Sequence, residues 1–349
     1  AGIDFPVGTT LVTYTATDIY GNITKETFNI TVVDEEFPTI SGLPADLTTS
    51  SMPGVCGATV AWGEPIIDDN CGIASVTTTN ERGSLFEVGS TTVTYTIVDV
   101  NDNVTEASFT VTINDVENPV ISEMPSDLLL DNDPGECGAV ATWELPTASD
   151  NCSISSFESD HASGDQFPVG TTVVTYTAID PTGLETTASF NITVEDVELP
   201  TISGLVASVT VTNSAGTCDG IASWDAPTAA DNCEIAELTS THEPGWVFGV
   251  GETLVTYTAT DVHGNQISAS LTVIVLDEEA PTFVEIPSGI NLSNDLGLCS
   301  AVVTWDTPIT TDNCEMLSLE TTHAPGSVFP VGTTNVTYTA TDIYGNVAQ

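Results

Sequence analysis

The sequence contains almost no positive charge. Its two basic residues, Lys25 and Arg82, stand against 50 aspartates and glutamates, and the formal net charge at pH 7 is −48. Internal salt bridges therefore cannot balance the acids, and self-repulsion opposes folding unless cations screen it. The same charge excludes nucleic acid and anionic membrane surfaces as direct partners. Divalent cations are the expected complement, and an acidic surface that serves only solubility is the alternative.

Long apolar runs and catalytic motifs are also missing. No segment reaches the roughly 18 apolar residues of a membrane-spanning helix, so membrane insertion of this segment is not expected. The sequence has no GxSxG, HExxH or phosphate-binding glycine loop. His161, His242 and His323 recur at one repeat position but beside no cysteine, nucleophile-elbow serine or lysine, and His263 lies in a predicted hairpin turn. We therefore predict no catalytic residues and no enzymatic activity here.

What the sequence does contain is a period of 81 residues without insertion or deletion. It carries a V-T-Y-T motif, a tryptophan and two cysteines. The tyrosine of the motif is Tyr14, Tyr95, Tyr176, Tyr257 and Tyr338, and the tryptophan is Trp62, Trp143, Trp224 and Trp305. Each unit is large enough to bury its own core, so the period predicts domains arranged as beads on a string rather than a solenoid.

Within one period, short alternating segments predict strands. Val93, Tyr95 and Ile97 alternate with polar residues, and Trp62 is in phase with Val60. Turn signals recur about every 8–12 residues, which is typical of an antiparallel β-sandwich. The fold class is therefore all-β, with each repeated tryptophan in the core between two sheets.

An ordered set of motifs accompanies the period. Gly-x-Cys is followed by a V/A-x-W-x-x-P segment, then Asp-Asn-Cys, Phe-Pro-Val-Gly-Thr-Thr and Val-Thr-Tyr-Thr-Ala-Thr-Asp. Together they resemble the hyalin repeat, or HYR module, over the whole chain. Two departures lie in the Asp-x-x-Gly-Asn turn, where Asp102 replaces glycine and Leu184 replaces asparagine. The resemblance implies immunoglobulin-like domains and an extracellular location, at the cell surface or secreted, as in adhesion and matrix proteins and large bacterial adhesins.

The motifs also set expected domain boundaries. Residues 1–37 hold the C-terminal part of a truncated repeat, and residues 281–349 hold the N-terminal part of another. Complete HYR repeats are expected at 38–118, 119–199 and 200–280. A sandwich without its last strand exposes an edge and part of its core. We therefore expect the chain to be a segment of a longer repetitive protein.

Acidic residues recur in three segments that an immunoglobulin-like topology brings to one end of each domain. These are the linker between repeats, the loop before the second cysteine and the last hairpin turn. Oxygen ligands from three segments suit Ca²⁺, which takes about 6–8 oxygens, although aspartate and asparagine also form turns without any ion. The predicted calcium ligands are Asp34, Glu36, Asp69, Asp99, Asp115, Glu117, Asp150, Asp180, Asp196, Glu198, Asp231, Asp261, Asp277, Glu279, Asp312 and Asp342.

The cysteines indicate disulfides and an oxidising, extracellular setting. They occupy two repeat positions, Cys56, Cys137, Cys218 and Cys299, and Cys71, Cys152, Cys233 and Cys314. A local Cys56–Cys71 bond is favoured. However, the strand from Cys56 to Trp62 spans about 20 Å, whereas bonded cysteines need Cα atoms within about 7 Å. Either the loop folds back, or the bond joins neighbouring repeats, as Cys56 with Cys152 and Cys137 with Cys233.

The predicted function is a stalk or filament segment of an extracellular adhesin, made rigid by Ca²⁺ at the repeat junctions and by disulfides. Neighbouring repeats and identical chains are the expected partners, because loops tolerate insertions cheaply and yet none has changed length. One alternative is a hyalin-type matrix protein gelled by Ca²⁺. Another is a set of glycan-binding modules that use Trp246, with a surface glycan or protein receptor as partner.

Overall fold

The computed structural model describes residues 2–349. These residues form strands and turns, with no helix among them, and they divide into two compact units. Unit 1 extends to Leu128 and also contains Ala141–Asp165 and Thr172–Ile192. Unit 2 consists of Leu129–Val140, Gln166–Thr171 and Thr193–Gln349. The all-β prediction is confirmed.

Unit 1 opens with an antiparallel hairpin and continues with a complete β-sandwich. The hairpin consists of β1 (Gly8–Thr17) and β2 (Ile23–Val32). The sandwich strands are β3 (Thr39–Ser41), β4 (Leu47–Ser50), β5 (Gly57–Thr59), β6 (Ile66–Asp68), β7 (Ile73–Thr78), β8 (Leu85–Glu87), β9 (Gly89–Asp99) and β10 (Val104–Asn114). One sheet has the order β4-β10-β9-β7, and the pairs β3–β6 and β5–β8 lie opposite it. This layering leaves one core between the sheets.

The core of this sandwich follows the alternation of the sequence. Val93 and Ile97 are fully buried on one face of β9, and Tyr95 lies between them. Trp62 packs edge-on against Phe109 at a centroid distance of 5.1 Å. Its indole Nε1–H donates a 2.9 Å hydrogen bond to the hydroxyl oxygen of Tyr95. The predicted core position of the repeated tryptophan is confirmed, and the tyrosine of the V-T-Y-T motif is its polar partner.

Two short strands are not predicted by the sequence pattern. One is β6, which lies in the acidic loop after Trp62 and pairs with β3. It gives no strand signal because only three of its residues are extended and Pro65 precedes them. The chain between Thr39 and Ser50 forms two short strands, of which β3 pairs with β6 and β4 pairs in parallel with β10. Elements this short give no measurable alternation, so their pairing is decided by the sheets around them.

The same strand types recur along the chain. The next repeat contains β11 (Val120–Ser122), β12 (Leu128–Asp131), β13 (Gly138–Val140), β14 (Thr147–Ser149), β15 (Ser156–Ser159), β16 (Gln166–Pro168), β17 (Gly170–Ile179) and β18 (Glu185–Glu195). Unit 2 then contains β19 (Thr201–Ser203), β20 (Ser208–Thr212), β21 (Asp219–Ile221), β22 (Thr228–Ala230), β23 (Ile235–Ser240), β24 (Val247–Gly249), β25 (Gly251–Asp261) and β26 (Gln266–Leu276).

The sandwich of unit 2 repeats that of unit 1. Its sheet has the order β20-β26-β25-β23, and Trp224 donates to the hydroxyl of Tyr257 at 2.9 Å in the core. The last strands of the chain are β27 (Thr282–Glu285), β28 (Ser300–Val302), β29 (Ile309–Thr311), β30 (Met316–Thr321), β31 (Val328–Pro330), β32 (Tyr338–Asp342) and β33 (Val347–Ala348). The core of one sandwich therefore describes the core of the other.

Disulfides connect successive repeats. Within residues 2–349 they are Cys56–Cys152, Cys137–Cys233 and Cys218–Cys314, each across a sequence separation of 96. The favoured local Cys56–Cys71 bond is therefore wrong, and Cys71 and Cys299 are free thiols in the described chain. The reason is geometric: Cys56 and Cys71 belong to opposite ends of a repeat. Cys152 instead lies at the junction with the preceding repeat, where its Cα atom is 4.5 Å from that of Cys56.

Substitution of Cys152 by serine tests this connectivity. We expect the peptide that holds Cys56 to migrate with that of Cys152 in a non-reducing peptide map of the parent chain, and to be free in the variant. Removing a bond that closes a loop of about 100 residues costs about 4.7 kcal/mol of unfolding free energy in the chain-entropy model. Cys299→Ser is the matched control and should leave both the map and the stability unchanged. A Cys56–Cys71 peptide would contradict the structure.

The indole–phenol hydrogen bond is tested by Tyr95→Phe. The variant leaves the buried Trp62 N–H without its acceptor, which costs about 1–3 kcal/mol of unfolding free energy. Denaturation followed by tryptophan fluorescence measures the loss. Tyr20→Phe is the control because Tyr20 is exposed, and it should be neutral. Equal stability of Tyr95→Phe and the control would show that the bond contributes nothing.

Candidate metal centres at the repeat junctions

Three segments of each repeat bring aspartates together at the end that meets the preceding repeat. In the first sandwich these are Asp34 of the linker, Asp69 of the loop after β6, and Asp99 at the β9–β10 turn. One carboxylate oxygen from each lies within 4.8 Å of the others. The same triads form from Asp196, Asp231 and Asp261 and from Asp277, Asp312 and Asp342, while Asp115 and Asp150 cluster with the sulfur of Cys152.

The turn aspartate mainly organises its own turn. Oδ1 of Asp99 accepts hydrogen bonds from the backbone N–H groups of Asn101 and Asn103, both at 2.8 Å, and Oδ2 accepts from the Asn103 side chain at 2.7 Å. Asp261 is held in the same way. Burial raises the pKa of Asp261, but hydrogen bonds from Asn265 and His263 outweigh it, so the pKa lies below its usual value. The Asp261 carboxylate is therefore charged at neutral pH, and the turn supplies most of the hydrogen bonds that both carboxylates can accept.

The loop aspartate is only half satisfied. Oδ2 of Asp69 accepts from the backbone N–H groups of Cys71 at 2.9 Å and Gly72 at 2.8 Å. Its Oδ1 atom is buried and has no hydrogen-bond partner within residues 2–349. The same atom is equally unpartnered in the described chain at Asp150, Asp231 and Asp312. Buried polar atoms are normally paired, and a repeated orphan carboxylate oxygen fits the donor set of a cation site.

The linker aspartate is buried in every repeat and has two different surroundings. Oδ2 of Asp34 accepts from the amide of Asn101 at 2.8 Å, and Oδ2 of Asp196 lies 3.0 Å from Nδ1 of His263. By contrast, Oδ2 of Asp115 and of Asp277 has no partner among the described residues. The side chain two residues after the turn aspartate therefore decides whether Oδ2 of the linker aspartate has a hydrogen-bond partner.

The electrostatics of the linker aspartate favour its charged form. Burial raises the pKa of Asp115, but hydrogen bonds from the Glu117 backbone and from the side chains of Asn151 and Ser51 bring it below the usual range. The thiol of Cys71 and the amide of Asn101 likewise lower the pKa of Asp34. Both groups are therefore anionic at neutral pH and suited to holding a cation.

Not every predicted ligand joins a cluster. Glu117 points away and accepts a 2.8 Å hydrogen bond from the backbone N–H of Gly54 in the preceding repeat. Glu198 and Glu279 accept from Gly135 and Gly216 in the same way, and Glu36, their equivalent, lies outside the clusters. Asp180 is also outside the Asp115–Asp150 group, and its carboxylate accepts hydrogen bonds from the Thr182 hydroxyl.

Sequence reasoning missed the asparagine of the Asp-Asn-Cys motif as a link between repeats. The Asn151 amide donates to the carbonyl of Val55, 96 residues earlier, at 3.3 Å and to Asp115 at 3.2 Å. Asn232 and Asn313 reach the carbonyls of Glu136 and Thr217 at 3.0 and 3.1 Å. The motif was visible in the sequence, but its contact with the preceding repeat could not be predicted from it. The acidic cluster, the amide and the disulfide thus share one junction.

Trp246, the predicted surface-contact residue, is 51% exposed, and its ring lies 5.7 Å from that of His242. Binding of a glycan or receptor there stays a prediction, as does association between identical chains.

The sequence was compared with known families and proteins. The sequence model of the HYR domain matches residues 33–113, 114–194, 195–275 and 276–349. Hyalin from Lytechinus variegatus is 37% identical over 356 residues, covering 99% of this chain and 67% of the relative. Hyalin from Strongylocentrotus purpuratus is 38% identical over 360 residues, covering 99% of this chain and 30% of the relative. The chain therefore spans two thirds of the first relative and less than a third of the second.

Solved structures give a weaker likeness. The extracellular domain of protocadherin gamma B4 aligns with 97% of this chain and 71% of its own, at 14% identity and a TM-score of 0.30. The human desmocollin-1 ectodomain covers 96% of this chain and 84% of its own, at 10% identity and a TM-score of 0.22. Scores this low carry no argument about sites. Among residues 2–349, no helix is long and apolar enough to cross a membrane.

The free thiol of Cys71 reports on the acidic cluster. The hydrogen bond to Asp34, burial, and repulsion from Asp34, Asp69 and Asp99 raise its pKa to about 11. Since the thiolate is the nucleophile, a pKa raised by about two units predicts roughly 100-fold slower alkylation near pH 8 than for an ordinary thiol. The rate should rise with pH until about 11. Iodoacetamide labelling of Cys299→Ser protein in EDTA measures it.

The control for this prediction is Asp34→Asn in the same background. It removes the acceptor and the nearest charge, so the pKa of the thiol should fall and labelling near pH 8 should accelerate. An unchanged rate would show that the cluster does not govern Cys71.

Proposed function

Because this chain belongs to the HYR domain family and is a hyalin-like extracellular matrix protein, we propose that it is a structural segment whose repeat junctions are braced by Ca²⁺. The sequence favours an adhesin stalk, with a matrix protein as the alternative. Both kinds of protein are built from the same repeats. Similarity to two hyalins supports the matrix alternative. The inter-repeat disulfides agree with the extracellular location.

One observation carries the proposal: buried oxygens without partners converge at the junctions. In unit 1 these are Oδ2 of Asp115, Oδ1 of Asp150 and Oδ1 of Asn151, none of which has a partner in residues 2–349. The equivalent atoms in unit 2 belong to Asp277, Asp312 and Asn313. Ca²⁺ binds carboxylate and amide oxygens at about 2.3–2.6 Å and completes its shell with carbonyls and water. A hard divalent cation fits this donor set.

The charge of the molecule supports the same assignment. A net charge of −48 leaves the clustered carboxylates without basic counterions. The one Arg–carboxylate ion pair of the described chain joins Arg82 to exposed Glu64 at 3.9 Å. Bound Ca²⁺ would replace mutual repulsion of the aspartates by attraction to a shared ion. Extracellular modules typically bind Ca²⁺ at about 10⁻⁴–10⁻³ M, so such junctions would be loaded outside the cell.

A braced junction would act mechanically. The ion would tie the linker aspartate to the loop aspartate of its own repeat, while Asn151 and the Cys56–Cys152 bond tie that loop to the preceding repeat. Linker, loop and preceding repeat would then move together. HYR domains are non-enzymatic, and we assign this chain no reaction.

The double variant Asp115→Asn with Asp150→Asn tests the calcium sites. We expect isothermal titration to show one Ca²⁺ fewer per chain, and the rise in melting temperature with Ca²⁺ to shrink. A site at 100 times its Kd stabilises the native state by about 2.7 kcal/mol. The matched control, Glu144→Gln with Asp225→Asn, removes two exposed acids and should bind as the parent does. A parent chain that binds no Ca²⁺, or an unchanged stoichiometry in the double variant, would refute the proposal.

A further inference from the structure

Two junctions of unit 2 bring together the same three aspartates of the repeat and differ at the position two residues after the turn aspartate. That position is His263 in the first junction and Tyr344 in the second. In both triads, one carboxylate oxygen of each aspartate lies within 4.8 Å of the others. The triads are Asp196, Asp231 and Asp261, and Asp277, Asp312 and Asp342.

In the first junction the linker carboxylate has a hydrogen-bond partner. Nδ1 of His263 lies 3.0 Å from Oδ2 of Asp196, whose side chain is fully buried. Because a carboxylate oxygen accepts hydrogen bonds, the imidazole N–H is the donor. The contact satisfies this oxygen in the chain without any ion.

In the second junction the corresponding oxygen has no partner. Asp277 is 8% exposed, its Oδ1 accepts from the Asn313 amide at 3.1 Å, and its Oδ2 is unpaired in the described chain. Oδ1 of Asp312 and Oδ1 of Asn313 are buried and unpaired there as well. The first junction has the same two unpaired loop oxygens, on Asp231 and Asn232. The two junctions therefore differ by one unpaired oxygen, that of the linker aspartate.

We propose that the side chain two residues after the turn aspartate sets the Ca²⁺ affinity of its junction, so that the Asp277 junction binds the ion more tightly than the Asp196 junction. This ranking rests on the proposed function, since it orders the calcium sites assigned there. A buried acceptor without a partner destabilises the ion-free state, and a bound cation removes that penalty. At Asp196 the imidazole has already removed it, so the ion gains less.

The same position divides the junctions of unit 1. The Asn101 amide donates to Oδ2 of Asp34 at 2.8 Å, whereas Oδ2 of Asp115 has no partner among the described residues. Junctions with a paired and with an unpaired linker oxygen therefore alternate along the chain. At intermediate Ca²⁺ concentrations the unpaired junctions would load first, and the repeats would become braced in two steps. Asp180 lies outside the Asp115 cluster, so the two triads of unit 2 are the better matched pair.

Chains that each retain one intact junction measure the difference. D69N, D150N and D231N weaken three junctions and leave that of Asp277, while D69N, D150N and D312N leave that of Asp196. Asparagine can still accept the backbone N–H bonds of each loop through its amide oxygen, so the fold should be kept. In isothermal titration with Ca²⁺ at one fixed pH, we expect the Asp277 junction to bind about 10-fold or more tightly than the Asp196 junction.

Exchange of the two side chains assigns this difference to one position. Y344H in the chain that retains the Asp277 junction should weaken Ca²⁺ binding about 10-fold, and H263Y in the other chain should tighten it by about the same factor. H242Y is the matched control, since His242 lies outside the aspartate clusters, and it should change neither affinity. If the loop variants fail to fold, Y344H in the parent chain should reduce the number of tight Ca²⁺ sites by one.

The outcomes separate this ranking from the calcium sites themselves. Equal affinities at the two junctions, or exchanges without effect, overturn the ranking and leave the calcium junctions supported. Tighter binding in Y344H also overturns it, because the imidazole would then support the ion as an outer-shell partner. A parent chain that binds no Ca²⁺ refutes the proposed function and the ranking together.

Discussion

The structure depends on placing clustered aspartates beside a covalent bond between repeats. Asp115 and Asp150 are close together, and the Cys56–Cys152 bond and the Asn151 amide hold their loop against the preceding repeat. With so few basic residues in the chain, nothing internal can neutralise such a cluster. The disulfide keeps the acids near one another, and the proposed cation would remove the repulsion that this proximity creates.

The constant repeat length follows from the same junction. The disulfides and the asparagine–carbonyl bonds join residues 96 apart, and the bonds from Gly54 to Glu117 and from Gly135 to Glu198 join residues 63 apart. An insertion in a surface loop is normally cheap. Here an insertion between two bonded residues would change the spacing of one inter-repeat bond while the others kept theirs, so the bonds could no longer all form at one junction. The junction thus explains a period that the core alone does not require.

Much of the fold could be predicted from the sequence because its signals are local. Alternation along β9 and the phase of Trp62 with Val60 each need only neighbouring residues, and both are confirmed. The short strands β4 and β6 were not predicted, since their pairing is decided by distant partners. For the site, an immunoglobulin-like topology predicted that Asp34, Asp69 and Asp99 lie close together, and they do so in the structure. The roles of Glu117 and Asn151 needed the neighbouring repeat.

By itself, the sequence determined the period, the all-β sandwich, the acidic junctions and the family resemblance, because these depend on patterns within one repeat. Only the tertiary structure decided which cysteines pair, which carboxylate oxygens lack partners and that His263 faces Asp196. Each of these depends on distances between segments far apart in the chain. A repeat specifies its own core through local periodicity, whereas a junction is specified jointly by two repeats.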